Sequence, residues 1–335
     1  MLSKSLILTL TTALAPIVWG TTYIVAAELL PPERPLLAAL LRSLPAGLLL
    51  LLLLVRRLPR GQWWWRSAVL GVLNIGLFFA LLFVAAYRLP GGVAATVGAV
   101  QPLLVALFAS RWIGERLTGR KLAAGTAGMA GVGLLVLQAQ ARLDAVGVAA
   151  ALGGAVAMAA GVVLTKKWGV PDTLLAATSW QLIAGGVFLL PLALLVEGPP
   201  PALTGINLAG YAYLSLIGSA LAYSLWFRGL HRLPASSAAL LGLLSPVVAA
   251  AAGWLLAGQA LSPGQCLGAA VVLGALVLAG PAGRALRKKP IGGENSSTLG
   301  KRLQFGKSLR CKPAAISQTG GKTDKAERNA ISRRG

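Results

Sequence analysis

The strongest constraint on this chain is that it repeats itself. Arg88, Leu89 and Pro90 return 144 residues later as Arg232, Leu233 and Pro234. The same shift carries Pro102 onto Pro246, Glu115 onto Gln259, Leu117 onto Leu261 and Thr118 onto Ser262. A second block returns at a shift of 138: Leu36-Leu37-Ala38-Ala39 as Leu174-Leu175-Ala176-Ala177, and Ala46-Gly47 as Ala184-Gly185. Self-similarity over half of a membrane chain is a mark of transporter architecture.

Lipid is the expected solvent. Only 12% of the 335 residues are charged and 56% are hydrophobic, where soluble domains carry about a quarter charged residues. Ten apolar segments can be drawn, each near the roughly 20 residues that cross a bilayer. They run over 6–30, 35–55, 67–87, 90–110, 120–138, 145–165, 173–196, 208–228, 233–257 and 263–281. The expected fold is all-α and integral to the membrane, with ten transmembrane helices in two inverted five-helix repeats. Residues 1–138 form the first repeat and 139–281 the second. Five is odd, so the second half must enter the membrane from the opposite side. The first segment is not read as a cleaved signal, because Pro16 follows Ala13-Leu14-Ala15 and the apolar run continues to Leu30.

The net charge is +22, and half of it belongs to a tail. Residues 282–335 are polar, basic and without helical or strand period, so they are expected to be disordered. Arg284, Arg287, Lys288 and Lys289 stand where they could touch anionic lipid. Interleaved aromatics are missing beyond Phe305, so no nucleic-acid partner is expected. In the body, one side of the membrane collects Lys4, Arg56, Arg57, Arg60, Arg66, Arg111, Arg116, Arg120, Lys121, Lys166, Lys167, Arg228 and Arg232. The other side holds Arg34, Arg88 and Arg142. Cytoplasmic loops carry the excess of Lys and Arg, so both termini are expected in the cytoplasm and the chain in the inner membrane.

Catalysis and metal binding have little to work with. Cys266 and Cys311 make no cluster with the single histidine, His231, which is expected in a loop. No carboxylate lies in mid-span, and acid–base chemistry needs a titratable pair in a pocket. No enzyme, metal or cofactor is expected.

Arg42 is the one charge well inside a span. A cation in hydrocarbon costs at least about 2.5 kcal/mol, so it must face a cavity or a partner. It either meets an anionic group of a cargo or braces backbone carbonyls, and the sequence leaves both open. Pro102 and Pro246 interrupt matching segments, and such paired interruptions point to a central site. Gln101 and Ser245 stand beside them and would offer hydrogen bonds. Trp19, Tyr23, Asn74, Phe78, Tyr223 and Trp226 are further candidates for a cavity wall around a flat, partly polar molecule. Each of them, taken alone, is as well explained by packing. Trp63-Trp64-Trp65 reads as an interfacial belt. Gly125, Gly128, Gly131, Gly133 and the pair Gly264 and Gly268 read as close helix contacts.

Pro16-Ile17-Val18-Trp19-Gly20-Thr21-Thr22-Tyr23, Leu41-Arg42-Ser43-Leu44-Pro45-Ala46-Gly47, Gly114-Glu115-Arg116-Leu117 and the doubled Arg-Leu-Pro resemble the EamA family of the drug/metabolite transporter superfamily. The run from Tyr87 to Pro102 is similar to its PecM branch. The resemblance covers about residues 5–281 and implies ten helices in two inverted halves. It implies a permease, with export of a blue pigment, indigoidine, and control of pectinase genes linked to that branch. Gln259, where the family pattern places a second Glu, and the tail are departures. The expectation is therefore an exporter of a small planar metabolite working by alternating access. A membrane sensor without flux, and an importer of similar chemistry, stay open. Association of two copies stays open as well.

Overall fold

The computed structural model describes residues 4–88, 91–136, 144–171, 173–257 and 261–279. The readings of Gln259, Arg142, Cys311 and the tail 282–335 lie outside these residues, as does the side chain of Tyr23. Among the described residues the chain is helical, with no strand. We label the helical segments α1 (Lys4–Leu29), α2 (Pro35–Val55), α3 (Trp63–Gly71, Val72–Gly76 and Leu77–Arg88), α4 (Gly91–Gly98 and Gln101–Ile113) and α5 (Gly119–Val136). Then come α6 (Ala145–Trp168), α7 (Leu174–Val196), α8 (Gly205–Arg232), α9 (Ala235–Leu241 and Leu244–Ala257) and α10 (Pro263–Ala279). Eight of them, all but α5 and α10, contain stretches long and apolar enough to cross a bilayer. The α10 helix is apolar but shorter, and α5 opens on Arg120 and Lys121.

Local chemistry sets the helix ends. Gly114 closes α4 in the left-handed conformation, φ +69°, which costs a glycine nothing. Asp144 and Thr173 cap α6 and α7 by accepting from Gly147 N and Ala176 N. Thr204 and Asn207 form a capping box at the start of α8. His231 is not in a loop. It lies in the last turn of α8, because the helix runs on to Arg232 before Pro234 stops it.

The repeat is visible as matched irregularities. A π-helical turn occupies Val72–Gly76 in α3, and another occupies Leu216–Leu221 in α8, 144 residues on. The breaks in α4 and α9 fall at Ala99–Val100 and Gly242–Leu243, each just before its proline. A proline lacks the N–H that would bond the carbonyl four residues back, and its ring crowds that carbonyl. The residue four back is Gly98 in one case and Gly242 in the other.

Small residues bring the helices together. A Cβ on Gly268 of α10 would stand 2.6 Å from the Gly131 carbonyl oxygen of α5, and one on Gly131 would stand 2.9 Å from the Gly268 oxygen. Gly47 of α2 and Gly186 of α7 are equally close to the facing helix. Packing is what these positions do.

The bundle has two ends. At one, the α1–α2 turn meets the α7–α8 connection: Glu197 accepts from Leu36 N (2.6 Å) and Leu37 N (2.9 Å), and Arg34 donates to the Pro199 carbonyl (3.2 Å). Arg88, at the end of α3, pairs with Asp144 at 3.8 Å on the same side. At the other end, the α4–α5 and α8–α9 connections meet. Arg66 there stacks over Trp63, Trp65 and Trp168 at 5.6–5.7 Å, with Trp64 and Trp65 exposed, as an interfacial belt would be.

Candidate functional site

A cavity of about 560 Å³ lies among α1, α2, α3, α4, α6, α8 and α9, with Val132 of α5 at its edge. Nine of the sequence candidates line it: Trp19, Arg42, Phe78, Gln101, Pro102, Tyr223, Trp226, Ser245 and Pro246. The two proline breaks thus meet at one hollow. Helix α2 takes part through Arg42, Ala38 and Ala39.

Arg42 is 8% exposed. Its Nε donates to Ser219 Oγ (3.3 Å) and its Nη2 to the Gly218 carbonyl (3.2 Å), while the guanidinium carbon lies 5.0 Å from the Phe79 ring centroid. Trp19 Nε1 donates to the same Gly218 carbonyl at 3.0 Å. The π turn of α8 therefore gathers side chains from α1 and α2. These contacts offset the cost of a buried cation and fix it at the cavity wall. Trp19 packs against Tyr223 and Trp226 at 5.0 and 5.3 Å between centroids. Thr21 and Tyr213 hydroxyls meet at 2.8 Å, a further α1–α8 tie.

Asn74 does not line the cavity. It is fully buried in the π turn of α3, donating to Thr165 Oγ1 of α6 (3.1 Å) and Gln181 Oε1 of α7 (2.9 Å). This knot corresponds to the Gly218 knot, since Asn74 and Gly218 are 144 residues apart. One turn recruits partners through an amide side chain, the other through the Gly218 carbonyl and the Ser219 hydroxyl. Asn74→Ala is expected to cost about 1–3 kcal/mol by removing the donor to the buried Gln181 Oε1 and Thr165 Oγ1, read as a lower thermal-unfolding midpoint. The concentration of cargo giving half-maximal flux should not move.

Phe79, Gly154, Met158 and the glycines Gly98 and Gly242 also line the cavity. The glycines had a legible signal, each standing four residues before its proline. Phe79 and Met158 had none, because any apolar residue would read alike there. Among the described residues no three His, Cys, Asp or Glu side chains come together.

The EamA-like transporter family model matches residues 6–137 and again 145–280. The chain belongs to that family. Members of the EamA family are transporters, not enzymes, and this chain is a multi-pass membrane protein. It is similar to Protein PecM of Dickeya dadantii, 46% identical over 266 residues that cover 79% of this chain and 89% of PecM. It is also similar to the uncharacterized inner membrane transporter YedA of Escherichia coli K12, 29% identical over 270 residues, 78% of this chain and 87% of YedA. A solved crystal structure superposes with a TM-score of 0.72 over 83% of this EamA chain and 98% of its own, at 22% identity, which is a likeness of fold.

Proposed function

We propose that this EamA protein exports a small planar metabolite across the inner membrane by alternating access, with both termini in the cytoplasm. In this reading all ten helical segments cross the bilayer, α1–α5 and α6–α10 forming two halves of opposite orientation. The observation that carries it is one cavity bounded by both proline breaks, Gly98–Pro102 and Gly242–Pro246, and by the Arg42–Gly218 knot. A volume of about 560 Å³ suits a small molecule, since ligand pockets run about 300–1,000 Å³. Tyr223, Trp226, Trp19 and Phe78 supply flat apolar walls, and Arg42, Gln101 and Ser245 supply polar contacts. Lys and Arg crowd the Trp63–Arg66 end, which supports placing that end in the cytoplasm.

Purified protein in liposomes provides the test, using counterflow of radiolabelled planar aromatic acids and of indigoidine, the cargo suggested by the Tyr87–Pro102 run. Gly98 faces open space, with no neighbour within 4 Å of an added Cβ. Gly98→Phe is expected to fill the cavity and cut counterflow roughly tenfold or more while the protein stays folded. Binding with no flux in the parent protein would favour a sensor instead.

A further inference from the structure

Among the described residues, the cavity lining reaches the α1–α2 end of the bundle. It uses the second half of α1 (Trp19, Ala26), the first half of α2 (Pro35, Ala38, Arg42) and the α1–α2 turn, Leu30 included. At the opposite end α1 and α8 touch: an added Cβ on Gly229 would collide with the Thr12 side chain, and Thr12 is 1% exposed. Two half-buried charges hold the Leu233–Pro234 corner just beyond that contact. Glu115, after α4, accepts from Ala235 N (2.9 Å), from Ser236 N (3.3 Å) and from the Ser236 hydroxyl, which places its carboxylate on the first turn of α9. Lys166, from the last turn of α6, donates to the Leu230 carbonyl (3.0 Å) and to the Leu233 carbonyl, at the end of α8. Lys121 closes the cluster on Glu115 at 2.7 Å.

We propose that Glu115 and Lys166 are the two jaws of a cytoplasmic latch, closed in this structure, that must release the α8–α9 corner before cargo can enter from that side. The proposal rests on the transport reading for its purpose, not for its geometry. Glu115 joins the α4–α5 connection to α9, and Lys166 joins α6 to α8, so the corner is fastened from two separate elements. Burial pushes the Glu115 carboxyl up, but the hydrogen bonds from Lys121, Ser236 and Ala235 N and the Lys121 charge outweigh it and leave it below the usual carboxylate range. The facing titratable groups are Lys121, Lys166 and, beside Lys166, His231. With a depressed pKa, the Glu115 jaw holds above the ordinary carboxylate range and is lost as pH falls through the lowered value.

A cysteine at Thr12 reports the seal, in a background with Cys266 and Cys311 replaced by alanine. The probe is a membrane-impermeant maleimide added from the cytoplasmic side of inverted vesicles holding the full chain. Labelling of Thr12→Cys is expected to be slow alone and roughly tenfold faster with Glu115→Gln or Lys166→Met, the change that follows from removing one charge-assisted hydrogen bond of about 1.5 kcal/mol. Glu197→Gln, which removes the helix-capping carboxylate at the opposite end, is expected to leave the rate unchanged. Unchanged labelling in both latch variants overturns the proposal, and so does an equal rise with Glu197→Gln, which would mark general loosening. Should Glu115→Gln fail to fold, Lys166→Met carries the same readout. The labelling needs no cargo, so it stands even where counterflow is absent, and intact counterflow with unmoved labelling retires the latch alone.

Discussion

Arg42→Ala is expected to reduce counterflow at least tenfold while the helices stay assembled. The guanidinium's contacts with the cavity wall include Ser219 Oγ, the Gly218 carbonyl and the Phe79 face. Alanine removes them and leaves Trp19 on the Gly218 carbonyl. Hydrogen bonds from a charged donor contribute about 1.5–3 kcal/mol each, so losing the set changes the π turn that shapes the hollow. Arg42→Lys separates charge from geometry. An ammonium keeps the positive field but cannot reach Ser219 and Gly218 with the same planar fork. Partial flux in Arg42→Lys, with none in Arg42→Ala, would show that charge matters in itself. Equal loss in both would identify the brace as the essential role. Flux at the parent level in Arg42→Ala would remove Arg42 from the cargo path altogether.

Gly268→Leu is expected to be the most disruptive single change for assembly. A Cβ there would lie 2.6 Å from the Gly131 carbonyl oxygen and 2.6 Å from Leu135 N. Both are backbone atoms, so no side chain can turn aside. The α5 and α10 helices would have to separate, at a cost of about 3 kcal/mol. The expected readout is a marked drop in monodisperse protein after detergent extraction and an earlier thermal transition. Gly264→Leu is the matched control, since an added Cβ at Gly264 meets only Ser262 Oγ at 3.8 Å. Similar behaviour of the two variants would show that α5 and α10 do not depend on close approach.

Much of this arrangement could be read from the residues. Ten apolar runs mark the helical segments, and the 144-residue shift pairs Pro102 with Pro246. Those prolines act through their own covalent chemistry, so their effect survives without context. The π turns were different. Val72–Gly76 and Leu216–Leu221 share a place in the repeat but scarcely a side-chain type. Their widening is fixed by what packs against them. Asn74 illustrates the limit from the other side: a mid-span amide signals a polar partner, yet the residues alone do not say whether that partner is cargo or Gln181. Arg42 braces the Gly218 carbonyl and lines the cavity, and its reading toward an anionic cargo belongs to the proposed function. Glu115 was visible as a charge near a helix end, but its target 120 residues away, at Ala235 and Ser236, is a product of the fold.

The two π-turn knots are alike in position and unlike in content. If the halves were identical, exchanging their shapes would turn the protein inside out at no energetic cost, and the two facing forms would be equally populated. Here one half fastens its turn with an amide held by Thr165 and Gln181, the other with a guanidinium and an indole on a carbonyl. Under the alternating access proposed above, that inequality would break the degeneracy, so the idle molecule would rest in one facing form and each cycle would climb back to it.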